Sequence, residues 1–239
     1  MVAAAIAEQA ATLEQVIFAE FTHPQAERLA SRLARRTGLD RVFFSDNGST
    51  AVEVALKTAV QWWHNRGEPR RQLIAFEGAY HGDTFGAMAV GARSLFSEPF
   101  DPMLFPVRRV PWPQTHWNDR TVEASEQQAL DDLELALQTP TAAVILEPLI
   151  QGAGGMRVVR PQFLQAVEQQ VRRAGSLLIA DEVLAGFGRC GRLLASQRAG
   201  IQPDLVALSK GLTAGFLPMG ITMASEAIFQ EFLGSDPTK

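Results

Sequence analysis

The sequence is poor in residue types that several kinds of protein require. Its 239 residues include one cysteine, Cys190, so an internal disulfide is excluded and a reducing compartment is expected. Basic residues form no block longer than a pair such as Arg172-Arg173, and the formal net charge is −4. Nucleic acid is therefore not expected as a partner, because phosphate backbones attract strongly basic surfaces.

Long apolar runs are also missing. The longest charge-free stretch covers residues 211–225, which are 15 residues with three glycines and a proline. A membrane span needs about 18 or more apolar residues. The amino terminus lacks the basic region of a secretion signal, and Glu8 interrupts its apolar run. We therefore expect a cytoplasmic protein that does not bind a membrane.

The residues that are present suit a large packed domain, since 46% are hydrophobic and 20% are charged. Apolar spacing predicts helices over 2–18, 24–36, 49–65, 84–90, 124–138 and 161–173. Strands are predicted over 41–45, 72–76, 107–110, 142–147, 177–181, 204–209 and 219–224. This alternation predicts an α/β fold, with a mostly parallel central sheet and helices on both faces.

In such a sheet, ligands bind outside the carboxyl ends of the strands, so these ends are the first places to look for chemistry. After the first strand come Gly48, Ser49 and Thr50, at the start of a helix where backbone amides and hydroxyl groups favour a phosphate. Taken alone, these residues fit an ordinary helix cap better than a phosphate site. After the second strand come Tyr80 and His81. The tyrosine could stack on a planar ring, or the pair could be a half-buried Tyr and a surface His.

Two charged residues follow strongly apolar strands. Asp181 needs a cationic or donor partner if it is buried, and either a protonated ring nitrogen or an arginine such as Arg189 would serve. Lys210 could be a desolvated amine that attacks a carbonyl carbon, or a lysine that reaches solvent from a strand end. A phosphate cradle, a stacking aromatic, a carboxylate and an amine are together the groups that pyridoxal 5'-phosphate requires.

These motifs resemble the class III aminotransferases of pyridoxal-phosphate fold type I. The resemblance lies in the runs 181–183, 186–191 and 203–211, and in the stretches 48–57, 80–88 and 151–157. The last two stretches are more selective than the others. Within the class they point to amino transfer from S-adenosylmethionine to 8-amino-7-oxononanoate in biotin biosynthesis.

The resemblance implies a role for each matching residue. Lys210 would bond covalently to the cofactor and Asp181 would bind its pyridine nitrogen, while Tyr80 and Val183 would cover the two ring faces. Tyr80 would also face the substrate, and Arg189 would lie near it. The remaining cofactor residues implied are Gly48, Ser49, Thr50, His81 and Glu147; no metal is implied. Cys190 stands where threonine is common in the class.

Members of the family are longer than this chain. The resemblance therefore implies that residues 1–239 are the cofactor-binding large domain, truncated at both ends and without the small C-terminal domain. It also implies small-molecule partners, an amino donor and a keto acceptor, and a homodimer when the protein is full length.

Three other functions remain open from the sequence. The first is another class III ω-aminotransferase or aminomutase, because most motifs are class-wide. The second is a catalytically incomplete fragment that still binds the cofactor, or a subunit-interface module. The third is a dinucleotide-dependent dehydrogenase on a similar sheet, which the missing G-x-G-x-x-G after the first strand disfavours.

Overall fold

The computed structural model describes residues 1–235 and alternates helices with strands along most of this length. The helices are α1 Val2–Ala10, α2 Pro24–Thr37, α3 Gly48–Asn65, α4 Phe85–Val90, α5 Val122–Leu137, α6 Pro161–Arg173, α7 Ala195–Ala199 and α8 Glu226–Gln230. The strands are β1 Arg41–Ser45, β2 Gln72–Phe76, β3 Arg108–Val110, β4 Thr141–Leu146, β5 Ile150–Gln151, β6 Arg157–Val158, β7 Leu177–Asp181, β8 Leu205–Leu208 and β9 Gly220–Ala224. Short 3-10 turns cover Glu98–Met103 and Lys210–Thr213.

Seven strands form one sheet in the order β1-β9-β8-β7-β4-β2-β3. The pairs β8-β7, β7-β4, β4-β2 and β2-β3 are parallel, whereas β9 runs antiparallel to both of its neighbours. The predicted mostly parallel α/β sheet is therefore confirmed. The reversal of β9 follows from its connection, because residues 209–219 are too few for the helical crossover that a parallel strand requires.

Apolar residues cover both faces of this sheet. Along β4, Ala143 and Ile145 pack with α3 in one core, while Val144 and Leu146 pack with α5 and α6 in another. All six residues of β4 and all five of β7 are buried. Because the strands are buried on both faces, polar side chains near them are concentrated at the strand ends.

Local signals at the helix ends agree with the predicted boundaries. His23 caps α2 by accepting a hydrogen bond from Ala26 N, Pro24 occupies the first helical position, and Gly38 ends the helix in the left-handed conformation. Asn47 begins α3 with a capping box in which it and Thr50 exchange side chain–backbone hydrogen bonds. The ends of α2 and the start of α3 are therefore set by residues next to them in the sequence.

Several predicted boundaries were wrong. The first helix ends at Ala10 rather than residue 18, since none of its side chains is buried and the Thr12 hydroxyl binds the carbonyls of Glu8 and Gln9. The hairpin β5–β6 and the helices α7 and α8 were not predicted, because elements of two to five residues carry too little periodicity. The 3-10 turn Glu98–Met103 was not predicted either.

Residues 236–239, including Lys239, lie outside the described part of the chain. Across residues 1–235, every helix is too short or too polar to traverse a bilayer.

Trp63 on α3 tests how much a hydrogen bond between this helix and strand β4 contributes to stability. Its buried indole Nε1 donates to Ala142 O over 2.9 Å, and the Arg70 guanidinium lies 3.5 Å from its ring centroid. We expect Trp63→Phe to lower the free energy of unfolding by about 1–3 kcal/mol, because the Ala142 carbonyl loses its indole donor. Urea unfolding followed by circular dichroism measures this. Trp117→Phe is the control, since Trp117 is 89% exposed and should change stability little.

Candidate active site at the carboxyl edge of the sheet

A cleft of about 760 Å³ opens at the carboxyl ends of the parallel strands. Its walls contain eight of the residues predicted from the sequence: Gly48, Ser49, Tyr80, His81, Glu147, Asp181, Val183 and Lys210. The fold brings them together because β1, β2, β4, β7 and β8 all end at this edge. Lys210 and Asp181 follow adjacent strands, with Asp181 paired to Ala207 in the β7–β8 register.

Asp181 is buried at the end of β7 and is bound by two groups. His81 Nδ1 lies 2.7 Å from its Oδ2, and Val183 N donates to its Oδ1 over 3.0 Å. The His81 side chain is fully buried, and its Nε2 has no hydrogen-bond partner among the described residues. The sequence allowed a surface histidine and an arginine partner for Asp181, and both alternatives were wrong.

Glu147 follows β4 and binds two loops at once. Its Oε1 accepts from Tyr80 N over 3.0 Å, and its Oε2 accepts from Gly152 N over 2.9 Å. Burial raises the pKa of the Glu147 carboxyl, opposed by the nearby His81 and by the two backbone donors. The carboxylate therefore connects the loop after β2 with the start of the turn between β5 and β6.

The start of α3 packs closely against the end of β7. A Cβ atom on Gly48 would lie 2.7 Å from Val183 Cγ1, so a side chain at position 48 would displace Val183. The Ser49 hydroxyl accepts from Thr84 N over 2.9 Å and lies 2.8 Å from Thr84 Oγ1. Since the first amides of a helix have no intrahelical acceptors, this end of the cleft presents N–H groups and hydroxyls to an anion.

Lys210 begins the turn that follows β8. Its backbone has φ 38°, a left-handed conformation that is uncommon outside glycine, and its side chain is exposed at the cleft. The preceding residue is held by a hydrogen bond from Ser209 Oγ to Met219 O over 2.6 Å. Of the two alternatives that the sequence left open, a desolvated amine and a lysine that reaches solvent, the chain by itself shows the second, because Lys210 is exposed.

Tyr80 is 43% exposed, and its hydroxyl donates to Asp83 Oδ2 over 2.9 Å. Partial burial, this hydrogen bond and the Asp83 charge raise the pKa of Tyr80 to about 12. The ring stands at the mouth of the cleft with its hydroxyl held as a neutral donor.

Two predicted site residues lie elsewhere. Thr50 is absent from the cleft wall, because its hydroxyl accepts from Asn47 N and donates to Asn47 O within the capping box. Arg189 is exposed and its guanidinium donates to the carbonyls of Leu184 and Gly186, so it closes its own loop. Their roles toward a phosphate and a substrate stay predictions.

Other cleft residues were not predicted as site residues. They are Asn47, Gly82, Asp83, Thr84, Gly152, Ala153, Met156, Leu184 and Ser209. Gly152, Ala153 and Met156 belong to the selective stretch 151–157, which could have indicated them. The partnership of His81 with Asp181 carried no sequence signal, because the two residues are 100 positions apart.

Comparison with known proteins gives the family of a chain with this sheet and this cleft. The family model for class III aminotransferases matches residues 1–238, and the chain belongs to this family. An adenosylmethionine-8-amino-7-oxononanoate aminotransferase from Synechococcus elongatus is 62% identical over 236 residues, covering 98% of this chain and 56% of the relative. The enzyme of the same name from Geobacter sulfurreducens is 43% identical, covering 96% of this chain and 53% of the relative.

A solved structure shows the same fold. An amine transaminase from an uncultivated Pseudomonas species, in a PLP-bound form, aligns with a TM-score of 0.92 and 36% identity, covering 99% of this chain and 56% of that one. The chain thus spans about half the length of the proteins that it matches.

The Tyr80–Asp83 contact gives a prediction on pH. We expect Asp83→Asn to lower the Tyr80 pKa from about 12 toward 10, because the charge and the charged acceptor are removed while partial burial remains. Tyrosinate absorbance measures one group, since Tyr80 is the sole tyrosine of the chain. Asp131→Asn, on the exposed face of α5, is the control and should leave the titration unchanged.

The sign of the linked stability change follows from the raised pKa. The folded chain keeps a proton that the unfolded chain releases near pH 10, so the contribution to stability is complete below pH 10 and is lost as the pH rises toward 12. An unchanged titration in Asp83→Asn would contradict the contact.

Proposed function

We propose that the chain is the cofactor-binding large domain of a PLP-dependent transaminase that transfers an amino group from S-adenosylmethionine to 8-amino-7-oxononanoate. The product would be 7,8-diaminononanoate in biotin biosynthesis. One observation carries the proposal: the amine of Lys210 and the carboxylate of Asp181 follow adjacent strands and line one cleft. The 62% identical relative bears the name of this reaction.

The cleft residues fit the ring end of pyridoxal phosphate. Asp181 uses one acceptor position on each oxygen, for His81 and Val183, and a carboxylate offers about four. It can therefore accept a further hydrogen bond from a pyridine nitrogen and favour the protonated form of that nitrogen. The bond from His81 would hold the carboxylate in place for this contact.

The start of α3 fits the phosphate end. Val183 lies so close to Gly48 that a side chain at position 48 would clash with it. Because Gly48 has no side chain, nothing at this position covers the backbone amides of Gly48 and Ser49. The Ser49 and Thr84 hydroxyls lie 2.8 Å apart and share one hydrogen bond, which leaves one hydroxyl proton that would donate to a phosphate oxygen. Two further cleft residues, Tyr80 and Val183, would cover the opposite faces of the ring.

When bound, the cofactor would supply an electron sink that makes the substrate's α-hydrogen acidic. Lys210 Nζ would hold the cofactor covalently and would take up and return the proton at the substrate carbon. The Tyr80 hydroxyl donates its single proton to Asp83, so its oxygen would accept a hydrogen bond from the substrate side of the cleft. Binding of the cofactor over Lys210 would also exclude water from its amine.

The oligomeric state belongs to the proposal as well. We propose a homodimer for the full-length protein, since the matched relatives extend well beyond this chain and the family resemblance implies a site completed by a second subunit. A second candidate function is a broader amine transamination. The likeness to an amine transaminase at a TM-score of 0.92 favours it.

Reduction with borohydride in the presence of pyridoxal phosphate tests the role of Lys210. We expect one labelled peptide, containing Lys210, because the cleft presents this amine beside Asp181. Peptide mapping is unambiguous because the chain has three lysines, Lys57, Lys210 and Lys239. Lys210→Ala should abolish the label and Lys57→Ala should retain it. Labelling at Lys57 or Lys239 instead would refute the assignment.

Amino donors separate the candidate functions. We expect the chain, tested in parallel with the 62% identical relative, to transfer nitrogen from S-adenosylmethionine to 8-amino-7-oxononanoate, measured as diamine formed by mass spectrometry. Activity with ornithine or a simple amine, without activity from S-adenosylmethionine, would favour the broader transaminase. A chain that is labelled at Lys210 but turns over no donor would be a cofactor-binding fragment.

A further inference from the structure

Two segments meet along one side of the cleft. The first is residues 77–81, which follow β2, and the second is the hairpin of residues 150–158. Gln151 Nε2 donates to Glu77 O over 3.0 Å, and a Cβ on Gly154 would collide with the carbonyl oxygen of Gly78. The two backbones therefore run in direct contact, with little room for a side chain between them.

Glu147 lies at the inner end of this contact and is 4% exposed. One carboxylate oxygen accepts from the backbone of Tyr80 in the first segment, and the other accepts from the backbone of Gly152 in the second. The turn between Glu147 and Gly152 also holds Leu149 at φ 66°, a left-handed conformation that costs on the order of 1 kcal/mol or more. The bond from Gly152 N to Glu147 closes this turn.

The choice of a carboxylate at this position follows from its two partners. Both are N–H donors on separate segments, so the side chain between them must accept twice and donate nothing. An ionised carboxylate meets that requirement, whereas an amide of the same shape offers one accepting oxygen and one donating nitrogen. A glutamine would therefore turn its NH₂ group toward one of the two backbone donors.

We propose that Glu147 is a positioning residue that sets the distance between the stacking residue Tyr80 and the hairpin wall of the cleft. The proposal rests on the proposed function, in that Tyr80 is taken to cover the cofactor ring. Glu147 itself acts through backbone amides, so the cofactor role that the sequence suggested for it becomes an indirect one.

The position of the hairpin gives this arrangement a consequence for substrate choice. Gly152, Ala153 and Met156 line the cleft next to the segment that carries Tyr80, and they belong to the selective stretch 151–157. Because both segments bind the same carboxylate, Glu147 fixes their positions relative to each other. Loosening the anchor should therefore affect the fit of the cofactor and of the substrate rather than the bulk of the fold.

Glu182 provides a matched control. It is also a buried carboxylate, 0% exposed, and it also accepts from two backbone amides, Ala195 and Ser196, over 2.9 and 2.7 Å. Burial raises its pKa as it does that of Glu147. Neither Glu182 nor its two donors lines the cleft. Glu182→Gln therefore reproduces the loss of a buried doubly accepting carboxylate whose two donors lie outside residues 77–81 and 150–158.

The experiment compares Glu147→Gln with Glu182→Gln in two measurements. Incorporation of ¹⁵N-tyrosine yields a single backbone amide resonance, that of Tyr80, whose N–H is the group bound by Glu147. In Glu147→Gln we expect this resonance to move upfield and its hydrogen exchange to rise about tenfold, because a charged acceptor is lost. We also expect Glu147→Gln to bind pyridoxal phosphate about tenfold more weakly than the wild-type chain does. Circular dichroism compares the unfolding temperatures of the two variants.

A change in either measurement that is confined to Glu147→Gln supports the positioning role. Two unchanged measurements, or equal changes in Glu182→Gln, overturn it and leave Glu147 a general stabiliser of the fold. If Glu147→Gln does not fold, the same comparison is made with Glu147→Asp and Glu182→Asp. The Tyr80 resonance needs no cofactor. Failure of the wild-type chain to bind pyridoxal phosphate would therefore count against the proposed function and not against this inference.

Discussion

The hydrogen bond between His81 and Asp181 is the contact on which the cleft depends. It joins the loop after β2 to the end of β7, across the intervening strand β4, and both side chains are buried. A buried carboxylate without a partner would be strongly disfavoured, so this bond makes the charge tolerable at the bottom of the cleft. It also leaves accepting positions on Asp181 open toward the cleft.

The same principle recurs in three other carboxylates around the sheet edge. Glu53 on α3 accepts from the backbone of Gly86 and Ala87 at the start of α4, Glu147 joins the two cleft walls, and Glu182 holds the start of α7. Glu147 and Glu182 use one oxygen for each donor, whereas Glu53 accepts both bonds on Oε1. Each of the three carboxylates holds backbone N–H groups at the start of a helix or in a loop. Hydrogen bonds to an ionised carboxylate are stronger than those between neutral groups, so these carboxylates stabilise the connections at the edge of the sheet.

The reversed strand β9 adds a constraint at the same edge. It begins beside the ends of β1 and β8, where Met219 O accepts from Ser209 and where Gly220 contacts the carbonyl of Asn47. Ser209, which precedes Lys210, and Asn47, which caps α3, therefore both contact the start of β9. This connects the Lys210 side of the cleft with the start of α3 through backbone contacts, which tolerate little displacement.

The sequence by itself determined the α/β alternation, most strand positions and the chemical types at the strand ends, because each depends on local periodicity or on neighbouring residues. Lys210, Asp181 and the start of α3 were predicted for this reason. Only the tertiary structure decided that His81 is the partner of Asp181, that Glu147 binds two loops, and that Thr50 and Arg189 serve their own segments. These outcomes depend on which groups, distant in the sequence, come into contact at the edge of the sheet. Neither periodicity nor residue type predicts such contacts.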